Sequence, residues 1–170
     1  VIAGQGTIGL EILDKLSDVD TVIVPIGGGG LISGIAVAIK AMRPSCRIIG
    51  VQSEHAPSMK QSLEKKEIIK LQNVSTIADG IAVKTPGKLT YKLCSKYVDE
   101  VVTVSEEEIA AAILTLLEKM KMVAEGAGAT SVAAAMFGKV DLKHHKCVAV
   151  LSGGNIDVNL LSKIIDLGLM

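Results

Sequence analysis

The segment TVIVPIGGGGL, residues 21–31, decides the fold of this chain. Its first six residues are mostly β-branched and apolar, which is typical of a buried strand, although Pro25 weakens that prediction. Gly27–Gly30 then form a turn, and the apolar pattern of Leu31–Met42 predicts a helix. A strand that leads through a short turn into a helix is the repeating unit of a parallel sheet covered by helices.

The same alternation continues along the rest of the chain. Further strands are predicted where short apolar runs are bounded by turn residues, at Arg47–Gln52, Glu100–Val104 and Lys146–Leu151. Helices are predicted at Thr7–Leu16, Pro86–Val98, Glu106–Met120, Thr130–Met136 and Asp157–Asp166, and Lys60–Lys70 is expected to be a solvated helix or loop. The predicted fold class is therefore α/β, a three-layer sandwich with a mainly parallel sheet covered by helices.

Glycine-rich segments lie beside several of these elements. Val1–Ala3 is interpreted as the end of a strand and Gly4–Gly6 as the turn after it, while Ser152–Asn155 follows the last strand. Glu125–Gly128 is predicted to be a further turn before an alanine-rich helix. Ligands of open parallel sheets bind beyond the carboxyl ends of the strands, so the turns after strands are candidate sites.

The glycine turn Gly27–Gly30 is the strongest of these candidates. Backbone amides in such a turn can form a concave nest at the positive end of a helix, and no side chain prevents a phosphate from approaching. A plain tight turn is the alternative, but one or two glycines would suffice for it. Because no Gly-Lys-Ser/Thr follows, the turn is not the phosphate-binding loop of nucleotide-hydrolysing enzymes. A single phosphate fits it better than a triphosphate.

A second glycine motif keeps a nucleotide-binding alternative open. Gly4, Gly6 and Gly9 match the spacing G-x-G-x-x-G of dinucleotide-binding turns. That motif requires an acidic residue at the end of the following strand, whereas Asp18 and Asp20 precede that strand. A nucleotide- or dinucleotide-binding module is therefore kept as an alternative.

Composition excludes several classes of function. The 170 residues predict one domain, and 18 basic residues balance 18 acidic ones. One Phe, two Tyr and no Trp leave no row of aromatic side chains for stacking on bases, so we expect no nucleic-acid partner. No apolar run is long enough to span a bilayer, so we expect no membrane partner. The scattered Cys46, Cys94 and Cys147 are expected to be reduced thiols of a cytoplasmic protein.

A few polar residues near the glycine segments are candidates for contact with a ligand. Ser152 follows the last strand, so its hydroxyl can face a ligand bound beyond the strand ends. Alternatively, this segment caps the final helix through Asn155. Glu125 is either a charge at a helix start or a ligand contact, and Asp79 begins a simple Asp-Gly turn. His55, His144 and His145 lack the spacing of a metal site, so no metal is expected.

Several segments together resemble the threonine dehydratase (threonine ammonia-lyase) family, which uses pyridoxal phosphate (PLP) and includes serine dehydratases and serine racemases. The segments occur in the family's order and extend over nearly the whole chain. They are AGQGTIGLE (Ala3–Glu11), VPIGGGGLISGIA (Val24–Ala36), IIGVQSE (Ile48–Glu54), TIADGIAV (Thr76–Val83), VDEVVTVSEEEI (Val98–Ile109), VAEGAGA (Val123–Ala129) and VLSGGNID (Val150–Asp157).

The resemblance implies a fold and a site. Residues 1–170 would be the C-terminal part of the large, PLP-binding domain of the type II PLP fold. By position, Gly27, Gly28, Gly29, Gly30 and Leu31 would bind the phosphate of PLP, and Ser152 would hydrogen-bond the pyridine nitrogen. The family's Schiff-base lysine would precede Val1, so the catalytic residue is expected outside this chain and the chain alone is expected to be inactive.

The resemblance also implies a reaction. The intact enzyme is expected to be a lyase of amino-acid metabolism that converts L-threonine to 2-oxobutanoate and ammonia by β-elimination, with L-serine as a secondary substrate. Its role would be isoleucine biosynthesis or threonine catabolism, and a homo-oligomer is expected. A serine dehydratase or serine racemase is the alternative, but Gln52 and Ser58 stand where racemases of the family have carboxylates near a divalent cation.

Overall fold

A computed structural model describes residues 1–143 and 145–168. His144 lies outside the described residues, so the expectation about it is not addressed. In chain order, the elements are α1 (Ile2–Lys15), β1 (Thr21–Pro25), α2 (Gly30–Met42), β2 (Arg47–Ser53), α3 (Ser58–Lys65), α4 (Lys88–Tyr97), β3 (Glu100–Val104), α5 (Glu106–Thr115), α6 (Gly126–Met136), β4 (Cys147–Ala149) and α7 (Val158–Gly168). A 3₁₀ turn spans Asp79–Ile81, and a π-helical turn, Leu116–Met120, extends α5.

The strands form one parallel sheet in the order β3-β2-β1-β4. In the centre, Ile23 of β1 pairs with Ile49 of β2 on one side and with Ala149 of β4 on the other. Every residue of β1 is buried, which explains its continuous β-branched and apolar sequence. The parallel sheet is confirmed, and the predicted strands agree with the observed ones within a few residues.

Helices cover both faces of the sheet, as predicted. Because side chains of a strand alternate between its faces, Ile23 and Ile49 point to one side and Val22 and Ile48 to the other. The first pair belongs to a core shared with α5, α6 and α7. The second pair belongs to a core shared with α1, α2 and α4. The three-layer α/β sandwich is therefore confirmed.

The predicted strand Val1–Ala3 and the turn after it are wrong, because both segments belong to α1. The glycines of this segment serve helix packing. A Cβ atom at Gly34 of α2 would lie 2.6 Å from the backbone nitrogen of Gly6, and one at Gly9 would lie 3.0 Å from the Ile35 carbonyl oxygen. The glycines thus allow the backbones of α1 and α2 to touch. Because Gly4, Gly6 and Gly9 all lie within a helix, they do not form the turn that a dinucleotide-binding motif requires.

The predicted turn Glu125–Gly128 is also wrong, since α6 begins at Gly126. Close backbone contacts account for its glycines: a Cβ at Gly126 would lie 2.9 Å from Ala78, and one at Gly128 would lie 2.6 Å from the Gly153 carbonyl oxygen. These two contacts place the start of α6 between the loop that contains Ala78 and the loop that contains Gly153.

The helix caps agree with the sequence in one case and differ in another. The S-x-x-E pattern of Ser105–Glu108 predicts a capping box at the start of α5. It is confirmed, because Ser105 accepts a hydrogen bond from the Glu108 amide while Glu108 accepts one from the Ser105 amide. At α7, however, Asp157 accepts from the amides of Asn159 and Leu160, so Asn155 is not the cap. Among the described helices, none combines the length and apolarity that crossing a membrane requires.

Candidate functional site

A cavity of about 610 Å³ opens at the carboxyl ends of β1 and β4. After β1 the chain moves to β2 on one side, while β4 lies on the other side, so these two strand ends lie where the order of the sheet reverses. Parallel sheets bind ligands at such switch points. The cavity is lined by Gln5, Ile8, Pro25, Gly27–Leu31, Gly80, Ile81, Glu125, Ala127 and Val150–Ser152.

The glycine turn forms one wall of this cavity. Gly29 has a φ of 91°, and a Cβ there would lie 2.7 Å from the Met59 methyl carbon, so only glycine fits without strain. A Cβ at Gly28, by contrast, would meet no atom within 4 Å. Within the described part of the chain, the amides of Gly27, Gly28 and Gly29 donate to no protein acceptor. The turn therefore offers free donors beside open space.

Side chains from β2 and α4 hold the turn from outside the cavity. Gln52 donates to the Ile26 carbonyl, with 3.3 Å between Nε2 and the oxygen, and accepts from the Lys60 amide at 2.9 Å. Thr90 donates its hydroxyl to the Gly28 carbonyl at 2.6 Å. The contact of Thr90 has no signal in the sequence, because nothing in the first turn of a helix indicates a partner 62 residues earlier in the chain.

Ser152 lines the same cavity as the glycine turn. The parallel pairing of β4 with β1 is the cause, because it places the segments that follow both strands at one edge of the sheet. Ser152 is exposed, and α7 is capped by Asp157, so its hydroxyl is not used as a helix cap. The structure thus brings together all six residues that the sequence predicted to bind a cofactor.

Glu125 directly precedes α6, so it is a charge at a helix start, and it also lines the cavity, where contact with a ligand stays a prediction. Its Oε2 accepts from the Asn155 amide at 3.0 Å, and its own amide donates to the Gly153 carbonyl at 3.1 Å. Its side chain lies against Gly153, which has no Cβ to displace it. Glu125 therefore connects the start of α6 to the segment that contains Ser152.

A third segment, around the 3₁₀ turn Asp79–Ile81, forms the adjoining wall of the cavity through Gly80 and Ile81. The Asp79 side chain accepts from the Gly80 amide at 2.7 Å, which agrees with the predicted Asp-Gly turn. A Cβ at Gly27 would lie 3.1 Å from the Ile81 Cα, so the glycine turn packs directly on this wall. Glu106 anchors the segment from the far side by accepting from the Ile77 amide at 2.6 Å.

Charged and nucleophilic groups are scarce at the site. None of the described residues that line the cavity is a lysine, an arginine or a histidine, so an anion would be held by backbone dipoles.

Burial raises the pKa of the Cys46 and Cys147 thiols and raises the pKa of Cys94 to about 11. The described residues contain no group of three or more His, Cys, Asp or Glu that could hold a metal ion.

Comparison with known families matches residues 1–153 to the family described as "Pyridoxal-phosphate dependent enzyme". The chain belongs to this family. The observed parallel sheet is thus part of the type II PLP fold, which the sequence had suggested, and the family is PLP-dependent. The nucleotide-binding alternative loses its support, because its motif lies inside α1.

Individual relatives point to the same group of enzymes. The chain is 59% identical over 170 residues to an L-threonine ammonia-lyase of Thermotoga maritima, matching all of this chain and 42% of that protein. The processed form of threonine deaminase isoform 2 from Solanum lycopersicum has a TM-score of 0.92 at 40% identity, over 99% of this chain and 47% of that one. The structure of maize serine racemase has a TM-score of 0.88 at 38% identity, over 99% of this chain and 52% of that one.

The chain therefore spans about half the length of the relatives it matches. The residues present fit PLP. The free amides of Gly27, Gly28 and Gly29 can donate hydrogen bonds to a phosphate, and the open space at Gly28 leaves room for its oxygens. Ser152 supplies a neutral hydroxyl on the same cavity for a ring atom.

Proposed function

We propose that the whole protein is a PLP-dependent threonine ammonia-lyase, which converts L-threonine to 2-oxobutanoate and ammonia by β-elimination of the hydroxyl group. The observation that supports it most is the cavity in which the free glycine amides and Ser152 lie together. The 59% identity to a protein named L-threonine ammonia-lyase favours this reaction over others of the family.

In this proposal, Gly27, Gly28, Gly29, Gly30 and Leu31 hold the phosphate through backbone amides at the start of α2. The helix dipole adds to that attraction, so no cationic side chain is needed. When bound, PLP supplies an electron sink for the electrons released as the α-proton leaves. The Ser152 hydroxyl hydrogen-bonds the pyridine nitrogen. Because serine is neutral and weakly acidic, it leaves that nitrogen largely unprotonated, which favours β-elimination.

The covalent anchor belongs to a part of the protein outside residues 1–170 in this proposal. A lysine must hold the cofactor's aldehyde carbon and take the α-proton from the substrate. The support is the lining of the cavity, which includes no lysine among the described residues. Residues 1–170 would thus be the C-terminal part of the PLP-binding domain.

A serine dehydratase or racemase is the second candidate, since the maize serine racemase structure is similar. The surroundings of Gln52 speak against a racemase that depends on a cation. Its side chain is neutral and fully buried, and both its oxygen and its nitrogen are already engaged in hydrogen bonds. The group therefore offers no carboxylate to a divalent cation.

An assay of the whole protein with PLP separates these candidates. We expect 2-oxobutanoate from L-threonine with a higher kcat/KM than pyruvate from L-serine, and no formation of D-serine. The products are resolved by chromatography on a chiral column after derivatisation. Formation of D-serine as the main product, or of pyruvate without 2-oxobutanoate, would show that the second candidate is right.

The cellular setting is part of the same proposal. We place the enzyme in the cytoplasm, since Cys46, Cys94 and Cys147 are free thiols, as a reducing compartment favours. It would act in isoleucine biosynthesis or threonine catabolism. A homo-oligomer is favoured by exposed apolar side chains such as Met120 and Phe137, and sedimentation of the whole protein measures that state.

A further inference from the structure

Two side chains that do not line the cavity hold carbonyl groups in the glycine turn or directly before it. The Thr90 hydroxyl, in the first turn of α4, donates to the Gly28 carbonyl at 2.6 Å. The Gln52 side chain, fully buried on β2, donates to the Ile26 carbonyl at 3.3 Å. The residue lining of the cavity contains neither Thr90 nor Gln52. Both therefore contact this part of the chain from outside the lining of the cavity.

The planarity of the peptide bond links these contacts to the cavity. In a trans peptide, the C=O and N–H groups point in opposite directions. The Gly28 carbonyl and the Gly29 amide share one peptide, which is trans. A carbonyl held toward Thr90 therefore leaves the Gly29 N–H pointing away from Thr90. By the same argument, Gln52 fixes the direction of the Gly27 N–H.

The packing around Gly29 makes Thr90 the group that supports this peptide. A Cβ at Gly29 would lie 2.8 Å from the Thr90 Cβ, so the two residues are in direct contact. The Thr90 hydroxyl also lies 3.0 Å from the Gly87 carbonyl of its own helix start. The shorter distance to Gly28 indicates that the stronger hydrogen bond goes to the turn.

We propose that Thr90 is a positioning residue for the phosphate site: its hydroxyl orients the Gly28–Gly29 peptide so that the Gly29 amide faces the phosphate of PLP. Gln52 orients the Gly27 amide in the same way. This inference rests on the proposed function, because it requires that the turn binds that phosphate. A flexible glycine turn samples many conformations, so fixing two peptides lowers the entropic cost of binding.

Three substitutions in the whole protein test the inference. Thr90→Val removes the hydroxyl at nearly constant shape, Thr90→Ser keeps the hydroxyl, and Ser95→Ala is the control. Ser95 lies on the same helix and donates its hydroxyl to the Tyr91 carbonyl at 2.8 Å, so this variant also loses a hydrogen bond from a side chain to the backbone. The readouts are the Kd for PLP and the ³¹P chemical shift of bound PLP.

We expect Thr90→Val to raise the Kd for PLP about tenfold, the change expected for roughly one lost hydrogen bond, and to move the ³¹P shift. Thr90→Ser and Ser95→Ala should keep the wild-type Kd and shift. Thr90→Ala gives the same comparison if Thr90→Val does not fold. A wild-type Kd and shift in the variants that lack the hydroxyl, or an equal loss in Thr90→Ser, would overturn the inference.

Gly28→Val distinguishes a failure of this inference from a failure of the proposed function. If Gly28→Val loses PLP while Thr90→Val binds it normally, the turn is the phosphate site and only the role of Thr90 is wrong. If Gly28→Val also binds PLP with the wild-type Kd, the phosphate lies elsewhere and both proposals fail.

Discussion

At the scale of single residues, the site depends on glycines that have different physical tasks. Gly29 adopts a left-handed backbone conformation and contacts Met59 and Thr90, so its lack of a Cβ is a requirement of the fold. Gly28 faces open space, so the fold would tolerate a side chain there. A requirement at Gly28 would therefore come from the ligand and not from folding.

Gly28→Val is accordingly expected to fold normally but to bind PLP at least about a hundredfold more weakly, because its side chain would occupy the space of the phosphate oxygens and remove contacts worth a few kcal/mol. Absorbance titration of the whole apoprotein with PLP measures the Kd. Gly4→Val is the matched control, since a Cβ at Gly4 on α1 also meets no atom within 4 Å. An unchanged Kd in Gly28→Val would rule the turn out as the phosphate site.

Ser152→Ala is expected to retain PLP but to eliminate water from threonine more slowly. Loss of the hydroxyl would remove the proposed hydrogen bond to the pyridine nitrogen, while the proposed phosphate contacts of the glycine turn would remain. We expect kcat to fall roughly tenfold to a hundredfold, as for a lost hydrogen bond at a reacting centre, with a change of the Kd for PLP below about threefold. A variant with full kcat would show that Ser152 lines the cavity without taking part.

At the scale of elements, the glycines of α1 and α2 decide how closely these two helices pack. The Gly34 backbone lies against Gly6 and Ile2, so there is no room for even a methyl group between the helices. The same glycines produced the incorrect prediction of a strand and a turn at the start of the chain. Only the partner helix distinguishes a packing glycine from a turn glycine, and the partner is remote in sequence.

Gly34→Ala is therefore expected to destabilise the protein by about 2 kcal/mol, because overpacking of a tight contact forces the backbones apart. Urea unfolding followed by circular dichroism measures the change. The control Gly4→Ala, on the exposed face of α1, should instead stabilise by up to about 1 kcal/mol through helix propensity. Equal stability of the two variants would contradict the close packing of α1 on α2.

Sequence periodicity predicted the strands and most helices because β1 is buried throughout and β2 is buried from Ile48 onward, which requires continuous apolar runs. It also placed Gly27–Leu31 and Ser152 at one edge of the sheet, since both follow parallel strands. The contacts of Gln52, Thr90 and Glu125 could not be predicted. They join segments whose proximity results from the order β3-β2-β1-β4, and that order was not part of the sequence prediction.

At the scale of the whole molecule, the cavity has an incomplete set of chemical groups. It offers backbone donors, the Gln5 carboxamide, the Ser152 hydroxyl and the Glu125 carboxylate from the described residues, but no lysine amine. The chain also spans about half the length of its relatives. The proposed reaction therefore requires groups from elsewhere in the whole protein.

Residues 1–170 expressed alone are thus expected neither to bind PLP covalently nor to release 2-oxobutanoate from threonine. The chain is titrated with PLP, reduced with borohydride and mapped by mass spectrometry. Nonspecific adducts should be spread over exposed lysines such as Lys88 and Lys92. A single stoichiometric adduct on one lysine, together with turnover of threonine, would show that the chain contains its own anchor.

In the proposed enzyme, the glycine turn binds the phosphate of PLP beside Ser152. A crystal structure of the whole protein with PLP measures this directly. We predict phosphate oxygens within about 3 Å of the backbone nitrogens of Gly27–Leu31, with the pyridine nitrogen within hydrogen-bond distance of the Ser152 Oγ. A phosphate bound away from this turn, with the Gly27–Leu31 amides facing only water, would contradict the account.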